Sequence, residues 1–373
     1  MGWTEPTRIV FASGEYIEFT TSRITIPDES GIGKLISGTC MAPALYLSDS
    51  TMSLLSVVQD DPTAEPTLEV CQLPFPPPPE GSEWYSGDCC TQLDGILYYV
   101  CRTCNTEDKQ NPLAMAVCDL SAETREWVSC EMPRSMPPTQ RPILFSLSGS
   151  VYITGFQTVA ETWRLNTETR EWGLFMKQGH MSFARRHIVA GDTLHCLKSH
   201  GGLRDQHCQH TVFDESGGWR EEPPIPESLA WCAVFGAGRS LVMLGKMSSL
   251  QPKLAGGKSA LAWNPVEGEP VQVYPVKMPP GMWWTTAQLS HDTVLVTGIA
   301  PPQWDDMAVM PDDHNTLGMV VRITCGTTDQ DATERVPTAQ ITDFAPEAVA
   351  ARSTSLIESV LEIIRRAERG EEL

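Results

Sequence analysis

Cys118-Asp119-Leu120-Ser121-Ala122-Glu123-Thr124-Arg125-Glu126-Trp127 is echoed downstream by Arg164-Leu165-Asn166-Thr167-Glu168-Thr169-Arg170-Glu171-Trp172. Leu, Glu-Thr-Arg-Glu and Trp coincide in the two stretches. A third, Val212-Phe213-Asp214-Glu215-Ser216-Gly217-Gly218-Trp219, keeps the acidic turn and the indole. Each copy reads as an apolar strand, a tight polar turn, and a second strand opened by Trp. This is hairpin chemistry, because Asp, Asn and Ser side chains bond their own backbone in turns and Gly accepts left-handed backbone. The indole recurs every ~45 residues, a period that belongs to arrays of one supersecondary unit rather than to a single irregular domain.

Working outward, another strand pair precedes each hairpin: Cys90 to Cys101, Ile143 to Gly155, Arg186 to Leu197, Cys232 to Gly245 and Thr286 to Gly298. Mid-run turns such as Ser148-Gly149-Ser150 and Ala190-Gly191-Asp192 split them. Two hairpins per unit make a four-stranded antiparallel sheet. Proline-rich links follow at Met132-Pro133 to Pro138, at Pro223-Pro224-Ile225-Pro226 and at Met278-Pro279-Pro280. Proline cannot serve a central ladder, so these links mark the exit from one sheet and the entry to the next. Weaker copies of the hairpin stand at Ala262 to Gly268 and at Val321 to Thr327, where the opening Trp has gone.

The pattern resembles the Kelch repeat over roughly residues 36 to 340. Phe183 to Pro226 is the nearest copy: Arg185-Arg186-His187 lead in, Thr193-Leu194-His195-Cys196 make a strand, Gly201-Gly202 close it, and Trp219 precedes the proline link. In other units the Gly pair shrinks to Gly155, Gly245 or Gly298. The resemblance implies an all-β, Kelch-type β-propeller over residues 1–344, with six four-stranded blades near 36–80, 84–137, 141–180, 183–226, 229–279 and 282–340. Within 1–30, Arg8 to Phe11 and Tyr16 to Phe19 form an expected hairpin that either closes the ring on the last blade or belongs to a seventh.

Residues 345–373 change character. Pro346 suits a first helical turn, and Val349, Leu356, Val360, Ile363 and Ala367 give one apolar stripe. A short C-terminal α-helix packed on the protein's own surface is expected. Ser353 interrupts the seam that a coiled coil would need. A monomer is therefore expected, with self-association through this helix as the alternative.

Composition excludes some classes of function. The 373 residues include 29 Pro and 28 Gly, are 41% hydrophobic, and carry a formal charge of −20. That charge is spread along the chain, so nucleic-acid backbones and anionic membrane surfaces are repelled. No apolar run approaches the ~20 residues needed to span a bilayer. Met1 to Gly14 lacks the basic-then-apolar order of a secretory signal, and Pro6 stands where an N-myristoylation pattern needs Ser or Thr. A cytoplasmic protein is expected, without nucleic-acid or membrane partners. Its twelve Cys read as reduced thiols, with Cys118, Cys196 and Cys325 lying in strand-like runs as small hydrophobes.

Cys101-Arg102-Thr103-Cys104 has the two-thiolate spacing of a zinc half-site, but no second Cys pair at matching separation completes it, and His207-Cys208-Gln209-His210, which offers further ligands, falls in a non-neighbouring unit. His187, His195, His200 and His291 read as hydrogen-bonded strand-end groups rather than ligands. There is no nucleophile elbow, phosphate-binding Gly loop or metal-binding His-Glu helix. No metal, cofactor or catalytic residue is expected.

The eleven Trp fall into two sets. Those at repeat positions should fill the core between blades, while Trp283, Trp284 and Trp304 lie off register and are surface candidates. With them the expected binding face comprises the loops after second strands: Arg102 to Asn111, His200 to His207, Lys246 to Lys258 and Pro301 to Asn315. Its candidate residues are Arg102, His200, Arg204, Trp283, Trp284, Trp304, Asp305 and Asp306. The expected role is a non-catalytic scaffold for protein–protein interaction, with a basic partner favoured by the charge. The alternatives are a propeller-class isomerase or hydrolase acting on a sugar, and an actin binder.

Overall fold

The computed structural model describes residues 3–25, 34–36, 44–47, 52–58, 66–74, 76–78, 82–84, 89–105, 113–137, 142–156, 159–179, 186–199, 208–225, 232–245, 258–264, 270–276, 282–290, 292–299 and 316–327. They are all-β, in several small antiparallel sheets, with no α-helix among them. All lie in the unit Met1–Asp329; the second unit, Gln330–Leu373, and with it the helix expected over 345–373, lies outside the described residues.

In chain order, β1 (Thr7–Val10) and β2 (Glu15–Thr25) form a hairpin. Sheet I follows, its strands in sequence order: β3 (Lys34–Ile36), β4 (Ala44–Leu47), β5 (Met52–Val58) and β6 (Thr67–Leu73). Sheet II holds β7 (Ser82–Trp84), β8 (Cys89–Leu93), β9 (Ile96–Asn105), β10 (Leu113–Asp119) and β11 (Trp127–Cys130). Here β7 and β8 both pair with β9, at its far and near ends. Sheet III comprises β12 (Ile143–Leu147), β13 (Ser150–Thr154), β14 (Thr162–Asn166) and β15 (Glu171–Met176), again in sequence order. Sheet IV is built likewise from β16 (Arg186–Ala190), β17 (Thr193–Ser199), β18 (Cys208–Asp214) and β19 (Gly218–Ile225). Sheet V contains β20 (Cys232–Ala237), β21 (Ser240–Gly245), β22 (Lys258–Trp263) and β23 (Pro270–Val276).

Sheet VI takes strands from both ends of the chain. β24 (Met282–Gln288), β25 (Thr293–Ile299) and β26 (Thr316–Thr327) are continued by β2 and then β1. The β2–β26 ladder runs unbroken from Glu15 opposite Thr327 to Thr25 opposite Leu317. The weak repeat copy at Val321 to Thr327 was expected to turn and open a further strand. Instead it is the end of one long strand, and the N-terminal β2 lies where that further strand would have been. This accounts for the absent Trp: the neighbour opposite Gly326 is Tyr16, whose ring lies 2.7 Å from where a Cβ on Gly326 would project.

Many strands are apolar without alternation because both of their faces are buried. In β12 every side chain is buried. Leu144 packs with Tyr98, Val100, Met115 and Val117 of sheet II, whereas Ile143, Phe145 and Leu147 pack with Leu194, Cys196 and Phe213 of sheet IV. The same sorting continues around the molecule. Ile188, Leu197 and Ile225 of sheet IV meet Val234, Met243 and Leu261 of sheet V. Phe235 and Leu244 of sheet V meet Ile17, Phe19 and Val321 of sheet VI. Ile24, Leu295 and Val320 of sheet VI meet Val57 and Leu68 of sheet I. Leu54 and Leu73 of sheet I meet Leu97, Tyr99 and Cys118 of sheet II. The succession of apolar seams thus returns to the sheet where it began.

First strands of successive sheets approach most closely. Ser146 Oγ on β12 donates to the Gln92 carbonyl of β8 (2.9 Å), and on β24 Thr286 Oγ1 and Gln288 Nε2 donate to the Val234 and Gly236 carbonyls of β20 (2.7 and 3.2 Å). Between β16 and β20 a Cβ on Gly236 would stand 2.3 Å from the Val189 carbonyl oxygen, so only glycine permits that approach.

Candidate functional site

Links between second and third strands leave from one type of edge, marked by the register pairs Arg102 with Leu113, Ser199 with Cys208, Gly245 with Ser259 and Ile299 with Thr316. Of the expected site residues, His200, Arg204, Trp304, Asp305 and Asp306 sit on these links, outside the described residues. Arg102 is placed differently from the expectation that it opens a surface loop. It lies within β9, which runs on to Asn105, and is only 9% exposed, on the same face of the strand as Tyr98 and Val100. Trp283 and Trp284 also belong to a strand, at a point in β24 where the register with β25 slips between Met282 and Thr285. The structure does not bring these described candidates together: Arg102 is in sheet II and the Trp pair in sheet VI.

Cys101 is buried in sheet II and points its thiol at the Arg102 carbonyl, while His210 belongs to sheet IV, with sheet III between them. Among the described residues no group of three or more His, Cys, Asp or Glu side chains is arranged to hold a metal ion. Every described cysteine side chain is a free thiol.

The repeat indoles lie at the seams. Trp127 Nε1 donates to the Pro74 carbonyl just beyond β6, at 2.7 Å, and Trp219 Nε1 donates to Thr162 Oγ1 of β14, at 2.8 Å. Each therefore ties its own sheet to the preceding one. Trp172 packs into the seam between sheets II and III, but its Nε1 is buried without a hydrogen-bond acceptor. At the seam between sheets III and IV, Tyr152 bonds Glu215 of the β18–β19 turn. Burial, and next that bond, push the Tyr152 phenol up to about 12.

No family model and no curated protein matches the chain. Among solved structures, one named "Structure of YjhT" aligns over 60% of this chain and 75% of its own, with 13% identity and a TM-score of 0.40. A likeness of that degree carries no argument about this chain, and the site is read from its own residues.

The most unusual polar group is in the seam between sheets IV and V. His195 of β17 and His210 of β18 face the same way, with Nδ1 of the first 2.9 Å from Nε2 of the second and the rings stacked at 5.1 Å. Trp263 of β22 closes over both edge-on, at 5.8 and 4.7 Å between centroids. The two imidazoles are 1% and 2% exposed. Burial, then the facing His210 and Arg220, hold His195 well below the ordinary imidazole range. Burial also lowers His210; the Pro223 carbonyl works against this without reaching full hydrogen-bond geometry, and Arg220 adds to it. The pair is thus neutral and shielded from solvent. The sequence offered His195 as a hydrogen-bonded strand-end group and His210 as part of an incomplete ligand run, and did not pair them; the available signal was that both fall on the seam-facing parity of one hairpin, beside Leu197 and Cys208.

No helix of the described residues is long and apolar enough to cross a membrane.

Proposed function

We propose that the chain is a divergent Kelch-type β-propeller of six blades that serves as a non-catalytic platform for protein–protein interaction. The observation that carries the reading is the closed succession of seams, from sheet I through sheet VI and back to sheet I. Each sheet is then a blade, β1 and β2 complete the last one, and first strands line the centre. Such a framework is rigid without help from its links, so those links are free to diverge and to carry recognition. The links 246–257 and 300–315 are the longest between second and third strands, and the charge of −20 favours a basic partner surface.

The experiment compares capture by the full chain with capture by two variants, one with 246–257 and one with 300–315 replaced by short Gly-Ser links. Variants are used only if they melt as cooperatively as the parent. Loss of the same bound protein from one variant is the expected result. Capture unchanged in both, or binding that vanishes on moving from low to moderate salt whatever the link, overturns the choice of face.

A further inference from the structure

The His195–His210 pair lies buried in a seam that the proposed platform needs closed. We propose that this pair is an acid-sensitive latch: the seam between sheets IV and V holds while both imidazoles are neutral and loosens when a proton enters the pair. Three features of geometry support it. The nitrogens share one hydrogen at 2.9 Å, so a pair with both imidazoles protonated would set two N–H groups against each other. Of the outward nitrogens, His195 Nε2 is buried without a hydrogen-bond partner, and His210 Nδ1 has only the Pro223 carbonyl, short of full hydrogen-bond geometry, to offset a positive charge. And the surrounding side chains are Leu197, Leu241, Met243, Leu261 and Trp263, which solvate a cation poorly apart from the indole, whose ring stands nearly perpendicular to both imidazoles.

The ionisable groups facing the pair do not offer an alternative sensor. From β16 the seam-facing parity carries Arg186, from β18 Cys208 and Asp214, and from β19 Arg220 and Glu222; Val234 of β20, Leu241 and Met243 of β21, and Leu261 and Trp263 of β22 do not titrate. β23 contributes no described side chain. Arg220 is bonded to Asp214 and to Glu222. Its charge opposes protonation of the pair. Asp214 would be raised by burial, but hydrogen bonds from Ser216, Arg220 and Gly217 hold it at about 2, so it stays ionised through the range in which imidazoles titrate.

The sign is fixed by linkage. Imidazoles lowered in the folded chain, to about 3 for His195 and about 4 for His210, take up protons on unfolding at a pH between those values and their ordinary one, about 6.5. Stability is therefore unaffected above that value and falls as pH drops. Two such groups raise the unfolding constant by up to roughly 100-fold per pH unit between about pH 5.5 and the folded-state value of His210, about 4.

The test uses the full chain. Hydrogen–deuterium exchange at pH 7.5, 6.0, 5.0 and 4.5, corrected for intrinsic rates, should show protection falling first in 186–199, 208–225 and 232–245 while 143–154 keeps its protection. In parallel, urea unfolding across the same range is compared with the double variant His195→Leu/His210→Leu, which should lose close to two protons of pH dependence. If that variant does not fold at pH 7.5, the exchange pattern of the parent decides alone. Uniform loss of protection across all sheets, or a double variant as acid-sensitive as the parent, overturns the proposal. Because neither readout involves a bound protein, its failure leaves the platform reading standing, and failure of the capture experiment leaves the latch standing.

Discussion

At the scale of single residues, the repeat indoles show how one sequence position takes on different work in different seams. Trp219 and Trp127 each donate a hydrogen bond across to the preceding sheet, while Trp172 buries its ring with the donor unanswered. Replacing Trp by Phe removes similar area in each case but removes a hydrogen bond only in two of them. Trp219→Phe should therefore destabilise by about 1 kcal/mol more than Trp172→Phe, the net worth of one such bond plus the acceptor it leaves. Urea denaturation at pH 7 checks this, and equal losses would show that the bond to Thr162 carries no net stability. The indoles were legible in the sequence as core groups because they repeat. Which of them found an acceptor was not, because Pro74 and Thr162 lie more than 50 positions away, at 53 and 57, in a neighbouring sheet.

At the scale of elements, the shared letters of the repeat have a plain physical meaning. Asp119 Oδ1 accepts from the Ser121 backbone and hydroxyl, Asn166 Oδ1 from the Glu168 and Thr169 amides, and Asp214 Oδ1 from the Ser216 and Gly217 amides. One Asx turn thus closes the third and fourth strands of sheets II, III and IV, which is why Asp or Asn stands at each. The hairpin turns at Asp94-Gly95 and Ser148-Gly149 have positive φ at both central residues, 50° and 78°, then 47° and 76°, the primed geometry that matches strand twist. Local chemistry of this kind was readable from the sequence alone. The extent of β9, which takes in Arg102, was not, because a strand's length depends on whether a neighbour such as β7 covers its end. Asp214→Ala should cost about 1–2 kcal/mol at pH 7 by stripping the turn of its acceptor, most of it from the amides since the Arg220 pair is half in solvent. The carboxyl is held below its ordinary value in the folded chain, so its contribution is complete above pH 4 and is lost as pH falls toward 2. The gap between parent and variant in urea midpoints should accordingly narrow over that range; a constant gap would mean that the turn is indifferent to the charge.

At the scale of the whole molecule, stability is distributed through seams that join residues remote in sequence. The Kelch resemblance pointed to units, and the strands are apolar without alternation because they are buried on two faces. Neither could say which sheet would lie against which, since Leu54 meeting Cys90 or Val57 meeting Leu295 leaves no trace in local spacing. The buried imidazole pair escaped for the same reason: its surroundings come half from sheet V. The N-terminal hairpin was the open point, and the β2–β26 ladder settles its pairing. That ladder carries the prediction with the largest effect. Ile9, Phe11, Ile17, Phe19 and Ile24 are each at most 8% exposed, and they bury their side chains against sheets V and I. At about 1.5–3 kcal/mol for each such side chain, their removal costs on the order of 10 kcal/mol, comparable with the entire stability of an ordinary domain, roughly 5–15 kcal/mol. It also leaves the eleven-residue edge of β26 opposite β2 unpaired. A chain beginning at residue 26 should lose its cooperative melting transition and aggregate, whereas a chain ended at Asp329, which keeps every described strand, should melt within a few degrees of the parent. Differential scanning calorimetry of the two truncations separates the outcomes, and a cooperative transition without residues 1–25 would show that sheet VI is complete with β24 to β26 alone.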